Sequence, residues 1–464
     1  MSSPGKIHFE VSERKILLRI FDVLVVVTSL YFVGLVFKFN YFHISEANFS
    51  WIIVLALYLN VLGTVFEMYN LQTASHQYQI IKSILLTSST TVLFFLLTPI
   101  FTPILPSNRL QIVYFFLAIT VSLFSWRLFY QSFLSSQRFV KKAVIVCDRS
   151  HLKELSKTLE NADPHYKILA YVNSDSKCRL DHPLKDIVDV TATELEEYVR
   201  KNGISEVVIA SKKKDGITVE VYNSLLKLLE NGYVIREYTQ VYEAITHRIP
   251  VQYVDKDFYR YFPFSRSNHN KLYLLLARII EIVISSFGIM VGLCFLPFIL
   301  IGNLIGNRGS LFYTQERVGK NGIPFNILKF RTMVKNAESG TAVFATQNDA
   351  RITRFGKFLR KSRLDEFPQF INILKGDMAV IGPRPERPFF VDQIAKEMPF
   401  YQTRHVIKPG LTGWAQVNYS YGDSIKDSLI KLQYDLYYIK HRSISLDINI
   451  TIKTISTILF YRGQ

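Results

Sequence analysis

Within its first 130 residues the chain places four apolar runs, Ile16 to Phe37, Phe49 to Val65, Ser83 to Leu105 and Ile112 to Tyr130. Almost no polar residue interrupts them at helical spacing, so none of them offers the polar face of a helix packed in a water-soluble bundle. Each approaches the roughly 20 residues that a helix needs to cross the hydrocarbon layer, and four transmembrane helices are therefore expected. Arg14 and Lys15 precede the first run and Arg138, Lys141 and Lys142 follow the last, whereas the loops at Lys38 and Arg109 carry little charge. Positively charged flanks stay on the cytoplasmic side, so both ends of this four-helix domain, residues 1–137, are expected there. The leading stretch MSSPGKIHFEVSERK is too polar to be a secretory signal, and the first run is expected to remain in the protein.

From Lys141 the hydrophobic period changes. KKAVIVCD, YKILAYVNSD and SEVVIAS read as buried strands; SHLKELSKTLENA, TELEEYVRKNGI and VEVYNSLLKLLENG read as the helices between them. Such alternation implies a doubly wound parallel sheet, a Rossmann-like α/β domain over residues 138–262. The turn after its first strand, CDRSHL, lacks the glycines that let a backbone approach a pyrophosphate, so no bound cofactor is expected and a regulatory or assembly role is.

An aromatic and basic connector, DFYRYFPFSRSNHNK, leads to a fifth apolar segment, Leu272 to Ile305. Pro297 removes a hydrogen bond from its helical ladder. Both flanks are basic, with Arg266, Lys271 and Arg278 on entry and Arg308, Arg317 and Lys320 on exit. A re-entrant helix at 272–305 that bends at Pro297 and returns to the cytoplasmic side satisfies both flanks, provided protein or interfacial water covers the freed carbonyls.

The net charge of +17 over 464 residues, beside 49% hydrophobic content, suits nucleic acid, an anionic membrane or phosphorylated substrates, and only its placement chooses among them. Three cysteines, Cys147, Cys178 and Cys294, show no paired spacing, which supports neither a disulfide framework nor a thiolate metal site. The charge concentrates in RITRFGKFLRKSRLDEFPQFINILKGDMAVIGPRP, residues 351–385, beside GSLFYTQERVGKNGIPFNILKFRTM and KPGLTGWAQVN. No hydrolase triad or zinc-spaced histidine pair stands out. Lys329 and Arg331, the cluster Arg351, Arg354, Lys357, Arg360, Lys361 and Arg363, and Arg384 and Arg387 can clamp a diphosphate, and Asp365 and Glu366 can hold Mg²⁺, attack phosphorus or cap the helix begun by FPQFINIL. Trp414 and the aromatics of YDLYYIKH read as packing or interfacial anchors, and His405 as a structural or phosphate-facing residue.

YTQERVGKNGIPFNILKFRTM, LRKSRLDEFPQFINILKGDMAVIGPRP and KPGLTGWAQVN resemble the bacterial sugar transferases, the monotopic polyprenyl-phosphate phosphoglycosyl transferases. The motif resemblance runs from about Arg278 to the C-terminus, and the four helices and α/β domain are similar in architecture to the large members of that family. It implies transfer of a sugar 1-phosphate from a UDP-sugar to undecaprenyl phosphate with release of UMP, at the start of capsule, exopolysaccharide or O-antigen synthesis. It further implies Asp365 as nucleophile through a covalent aspartyl-phosphosugar, Mg²⁺ held by Glu366 and Asp365, and phosphate or nucleotide contacts from Lys329, Arg360 and Arg384. A homodimer in the bacterial inner membrane is implied, with soluble domains facing the cytoplasm and no nucleic-acid partner. Two positions depart from the family pattern. The basic pair that opens the family's membrane helix is reduced here to Arg278 in ARIIE, with Glu281 as its carboxylate, and Leu296 replaces the serine before Pro297. The fold class expected is a membrane α+β chain: the four-helix domain, the α/β domain, and a catalytic domain over 263–464 that carries the re-entrant helix.

Overall fold

The computed structural model describes residues 11–37, 39–69, 77–130, 140–163, 165–174, 187–210, 217–251, 270–334, 349–398, 400–419 and 425–459. Arg138, Cys178 and most of the connector, including Arg266, lie outside them. The chain divides into two compact units, residues 1–246 and 247–464.

The first unit opens with α1 (Val11–Phe37), α2 (Phe49–Val65), α3 (Gln77–Leu97) and α4 (Leu110–Phe129). Leu18, Leu30, Leu55, Leu59, Phe95, Phe115 and Ile119 fill the space between them. Leu35, Ile53, Leu93, Leu117 and Val121 face outward and are more than a third exposed, so the bundle is apolar inside and out, as a lipid-facing bundle must be. Helix α3 ends at Leu97 rather than continuing to Leu105, because Pro99, Pro103 and Pro106 follow and cannot extend a helical ladder. Among the described residues, four helical stretches are long and apolar enough to cross a membrane: Ile16–Phe37, Ile80–Leu97, Leu110–Phe129 and Lys271–Asn307. Helix α2 is also apolar, but at 17 residues it falls just short of that length. A buried ion pair, Arg127 to Asp22 at 2.7 Å, ties α4 to α1.

Five parallel strands follow, β1 (Lys141–Cys147), β2 (Tyr166–Asn173), β3 (Val188–Asp189), β4 (Glu206–Ile209) and β5 (Val234–Glu237), in the spatial order β3-β2-β1-β4-β5. Strand β1 is central and Ala143 to Cys147 are fully buried, which is why this stretch reads as an unbroken apolar run. Helices α5 (Leu152–Ala162), α6 (Leu195–Asn202) and α7 (Val219–Glu230) lie between strands, and α8 (Tyr238–Thr246) follows β5. The short helical turn after β1, Arg149–His151, contains no glycine.

In the second unit Ile249 and Val251 belong to the packed core and the His247 ring meets Trp414, ahead of the boundary expected at 262. Ile249 donates its backbone N–H to Gln433 O at 3.1 Å, and the His247 carbonyl accepts from Trp414 Nε1 at 3.1 Å. Trp414 is buried and stacks on Tyr437, so it packs the interior. The long helix α9 (Lys271–Gly302) runs through Pro297 and ends in a π turn, Asn303–Asn307. An antiparallel hairpin, β6 (Phe312–Val318) and β7 (Pro324–Phe330), precedes α10 (Arg354–Lys361) and α11 (Gln369–Lys375). Then come β8 (Ala379–Ile381), α12 (Pro388–Glu397), β9 (Gly410–Thr412), α13 (Trp414–Asn418), α14 (Ile425–His441) and α15 (Ile444–Leu459). Strands β8 and β9 pair in parallel, with Ala379 opposite Gly410 and Ile381 opposite Thr412. A Cβ on Gly410 would stand 2.1 Å from Gly382 N, so a glycine there is what lets KPGLTG lie against GPRP.

Candidate active site

Helix α10 ends at Lys361 with Ser362 as its cap, and Arg363 takes a left-handed conformation (φ 58°) that is rare for a residue with a Cβ. That turn redirects the chain into a short helical segment, Leu364–Glu366, which sets Asp365 and Glu366 immediately ahead of α11. The aromatic side chains around this segment press on α9. A Cβ on Gly288 would stand 2.4 Å from Phe370, one on Gly292 3.0 Å from Phe367, and one on Gly302 2.1 Å from Phe355. The apolar helix is thus in direct contact with the segments that flank the carboxylate pair.

Arg278 fastens the same helix to the far end of α11. Its guanidinium donates to Ile373 O and Leu374 O, both at 2.7 Å, and pairs with Glu281 at 3.1 Å. Both carbonyls lie in the last turn of the helix, where partners outside the helical ladder are needed; Ile373 O also accepts from Gly376 N at 3.0 Å. Arg278 and Glu281 therefore join α9 to the far end of α11 rather than to the carboxylate pair.

Asp365 is 8% exposed and its Oδ1 has no hydrogen-bond partner. Burial and the adjacent Glu366 charge push its carboxyl pKa above the usual range, against the pull of Lys329, Arg360 and Arg363. Glu366 goes the other way. Burial alone would raise it, and Arg384, Lys329 and Arg363 more than offset that and hold it below the usual range. Its Oε1 lies 3.4 Å from Arg384 Nη2 and 3.5 Å from Arg363 Nη1. The two neighbouring carboxylates are thereby pushed in opposite directions, which suits separate roles.

Lys329 reaches the pair from β7. Asn372 holds that strand against α11 by donating Nδ2 to Asn326 O at 2.8 Å and accepting from Leu328 N at 3.0 Å. Burial lowers the Lys329 ammonium to about 8; Arg384 and Arg317 add to this, and the carboxylates oppose it. Arg384 sits in a loop braced from behind: Arg404 Nη2 donates to Arg384 O at 3.0 Å and pairs with Asp435 at 2.7 Å, and Arg317 Nη1 donates to Pro385 O at 3.0 Å. Arg317, Lys329, Gln369, Arg384 and Gly410 line a small pocket there.

The structure therefore gathers Asp365, Glu366, Lys329, Arg363 and Arg384, with Arg360 close enough to act on Asp365 electrostatically while its Nε donates to Thr332 Oγ1 at 3.0 Å. Arg331 does not join them: its guanidinium binds Ser310, with Nη2 to Oγ at 2.7 Å, and lies over the Tyr313 ring. Nor does Arg351, which pairs with Asp349 at 2.6 Å. His405 is kept neutral, lowered to about 4 by burial and by Arg404. Gln369, Arg317 and the Arg404–Asp435 pair carried no warning beyond their place near the motifs. Only the spacing of Gln369, four residues after Asp365, hinted that the two share a helical face.

Among the described residues no three histidine, cysteine or acidic side chains gather as a metal cage. Asp365 and Glu366, in a pocket rich in guanidinium groups, fit a hard cation that arrives with a diphosphate and keeps water in its shell, but not one held by protein alone.

The bacterial sugar transferase family model matches residues 272–461. A UDP-N-acetylgalactosamine-undecaprenyl-phosphate N-acetylgalactosaminephosphotransferase of Aeromonas hydrophila is 37% identical over 257 residues, 55% of this chain and 59% of the relative. A UDP-glucose:undecaprenyl-phosphate glucose-1-phosphate transferase of Xanthomonas campestris is 43% identical over 164 residues, 35% of this chain and 34% of the relative. A protein of that same name from Caulobacter vibrioides is 33% identical over 187 residues, 39% of this chain and 69% of the relative. The matched stretches thus span between a third and three fifths of the first two relatives.

Proposed function

The chain belongs to the bacterial sugar transferase family, and we propose from that premise that it transfers a sugar 1-phosphate from a UDP-sugar to undecaprenyl phosphate and releases UMP. The observation that carries this reading is the unpartnered Oδ1 of buried Asp365, ringed by Lys329, Arg360, Arg363 and Arg384 and set against an apolar helix. Asp365 attacks the β-phosphorus, the bond from that phosphorus to the bridging oxygen breaks, and UMP leaves with the electron pair. Lys329, Arg363 and Arg384 bind the phosphoryl oxygens and lower their repulsion of the incoming carboxylate. A phosphosugar then remains on Asp365 until an oxygen of the lipid phosphate displaces it. An acyl phosphate is reactive enough for that second step. Mg²⁺ would be held by Glu366 and Asp365 together with the diphosphate, and when bound it supplies charge neutralisation there.

The reading of α9 as re-entrant draws support from both of its ends. Tyr273 donates to Asp447 Oδ2 at 2.6 Å near the start, and Phe355, flanked by Arg354 and Lys357, packs on Gly302 and Gly306 near the finish. A helix that crossed the bilayer would carry one of these ends away from the unit that holds it. The catalytic unit, the α/β domain and both termini then face the cytoplasm from the inner membrane. The α/β domain, Rossmann-like in its strand order, serves self-association as a homodimer rather than chemistry. The relatives' names make UDP-glucose and UDP-N-acetylgalactosamine the first donors to try, and the product would open capsule, exopolysaccharide or O-antigen synthesis.

The test is UMP release by purified protein from each UDP-sugar, with and without undecaprenyl phosphate. Sustained release only with the lipid supports the transfer. Sustained release without it would indicate a phosphatase, and no release under either condition a scaffold.

A further inference from the structure

Among the buried polar atoms without hydrogen-bond partners are the acceptor Oδ1 of Asp365 and the donor Nε2 of Gln369. Gln369 is 3% exposed and lines the pocket with Lys329, Arg317 and Arg384. Asn372, on the same buried face of α11, makes a contrast. Its amide is spent on the fold, with Asn326 O and Leu328 N as partners, whereas the Gln369 donor has no acceptor in the fold. Leaving a buried N–H unpaired forfeits its hydration with nothing in return, unless a ligand brings the acceptor.

We propose that Gln369 is a catalytic residue whose amide donates to a non-bridging oxygen of the phosphoryl group under attack by Asp365. The proposal rests on the sugar-phosphate transfer above. In the first step the Asp365 Oδ1–phosphorus bond forms as the bond to the bridging oxygen breaks, and the non-bridging oxygens swing through a plane as phosphorus inverts. The surrounding cations attract the diphosphate at every stage of that motion. A neutral, directional donor on a rigid helix favours one position of one oxygen, and so contributes more to the transition state than to substrate binding. It also adds no further charge to a pocket already dense in cations.

Gln369→Met keeps the length of the side chain and removes the donor, and Gln369→Glu keeps the shape and replaces the donor with an acceptor. Both are compared with wild-type full-length protein in detergent for kcat and KM in UMP release, for yield of covalent phosphosugar adduct, and for melting temperature. Loss of one such donor is expected to lower kcat by about 100-fold in Gln369→Met, with KM changed less than about threefold. Gln369→Glu is expected to fall further. Without ligand the melting temperature of Gln369→Met is expected to match or exceed that of wild type, because an unpaired buried donor is gone; a residue that serves the fold would give the opposite sign. Wild-type kcat in Gln369→Met, or a lowered melting temperature with KM raised as much as kcat is lowered, overturns the proposal. If Gln369→Met does not fold, Gln369→Glu decides, and full turnover by it overturns the proposal. Wild-type protein that releases no UMP from any UDP-sugar overturns the transfer reading and this proposal together. Release by wild type with no loss in either variant overturns this proposal alone.

Discussion

Arg404 Nη2 donates to the backbone oxygen of Arg384 at 3.0 Å, so a fully buried guanidinium anchors the loop whose own side chain pairs with Glu366. Arg404 also holds Asp435 at 2.7 Å and Tyr401 Oη at 2.6 Å. Truncating it strands the Asp435 charge in the interior, which typically costs about 3–5 kcal/mol. Arg404→Ala is therefore expected to lose stability and turnover together in thermal melts and UMP assays. The double variant Arg404→Met/Asp435→Leu is expected to recover most of the stability but not the turnover, because the Arg384 loop has lost its brace.

Lys329 supplies a prediction for alkaline pH. Burial lowers its ammonium to about 8, so its charge is present below that pH and lost above it. Since the neutral amine cannot hold a phosphoryl oxygen, kcat/KM is expected to fall as pH rises through about 8. Lys329→Arg keeps the charge at every accessible pH and is expected to move this limb upward by more than one unit, at some cost in rate. A limb that stays in place would assign it to another group.

Contact between α9 and the segment bearing the carboxylates is steric enough to be broken and repaired. Gly288→Leu is expected to abolish turnover while the protein still enters the membrane, because Phe370 occupies the space beside Gly288. Phe370→Ala in the same chain opens that space and is expected to restore activity to within about tenfold, a coupling that neighbours in contact show and distant residues do not.

Topology is checked by labelling. A cysteine at Lys320, in the turn between β6 and β7, in a background without Cys147, Cys178 and Cys294, is expected to resist an impermeant maleimide in intact cells and to react after lysis. Labelling of intact cells would mean that α9 crosses the bilayer.

The α/β domain was legible where its inner strands are largely buried and its helices on one face, which leaves period and length as clear signals: β1, α5, β2, α6, β4 and α7 fall within a few residues of where periodicity places them, whereas the exposed strands β3 and β5 and helix α8 were not legible. Helix α3 ended early because hydropathy averages over Pro99 and Pro103, whose effect is on the backbone ladder and not on apolarity. At the site, Asp365, Glu366, Lys329, Arg363 and Arg384 were readable from residue type in a dense basic block. The same density misled at Arg331 and Arg351, since whether a guanidinium meets the pocket or a nearby Ser310 or Asp349 depends on side-chain direction. Gln369 and Arg404 were illegible for a related reason: their roles follow from burial, which a single polar residue in a sequence does not announce.

The most direct measurement is intact-protein mass after incubation with a UDP-sugar and Mg²⁺ in the absence of lipid phosphate. A mass increase equal to one phosphosugar is expected, mapped to Asp365, accompanied by one equivalent of UMP and discharged on addition of undecaprenyl phosphate. Asp365→Asn is expected to show neither adduct nor turnover. Product formation by Asp365→Asn, or transfer that proceeds only when both substrates are bound together and leaves no adduct, would contradict the account.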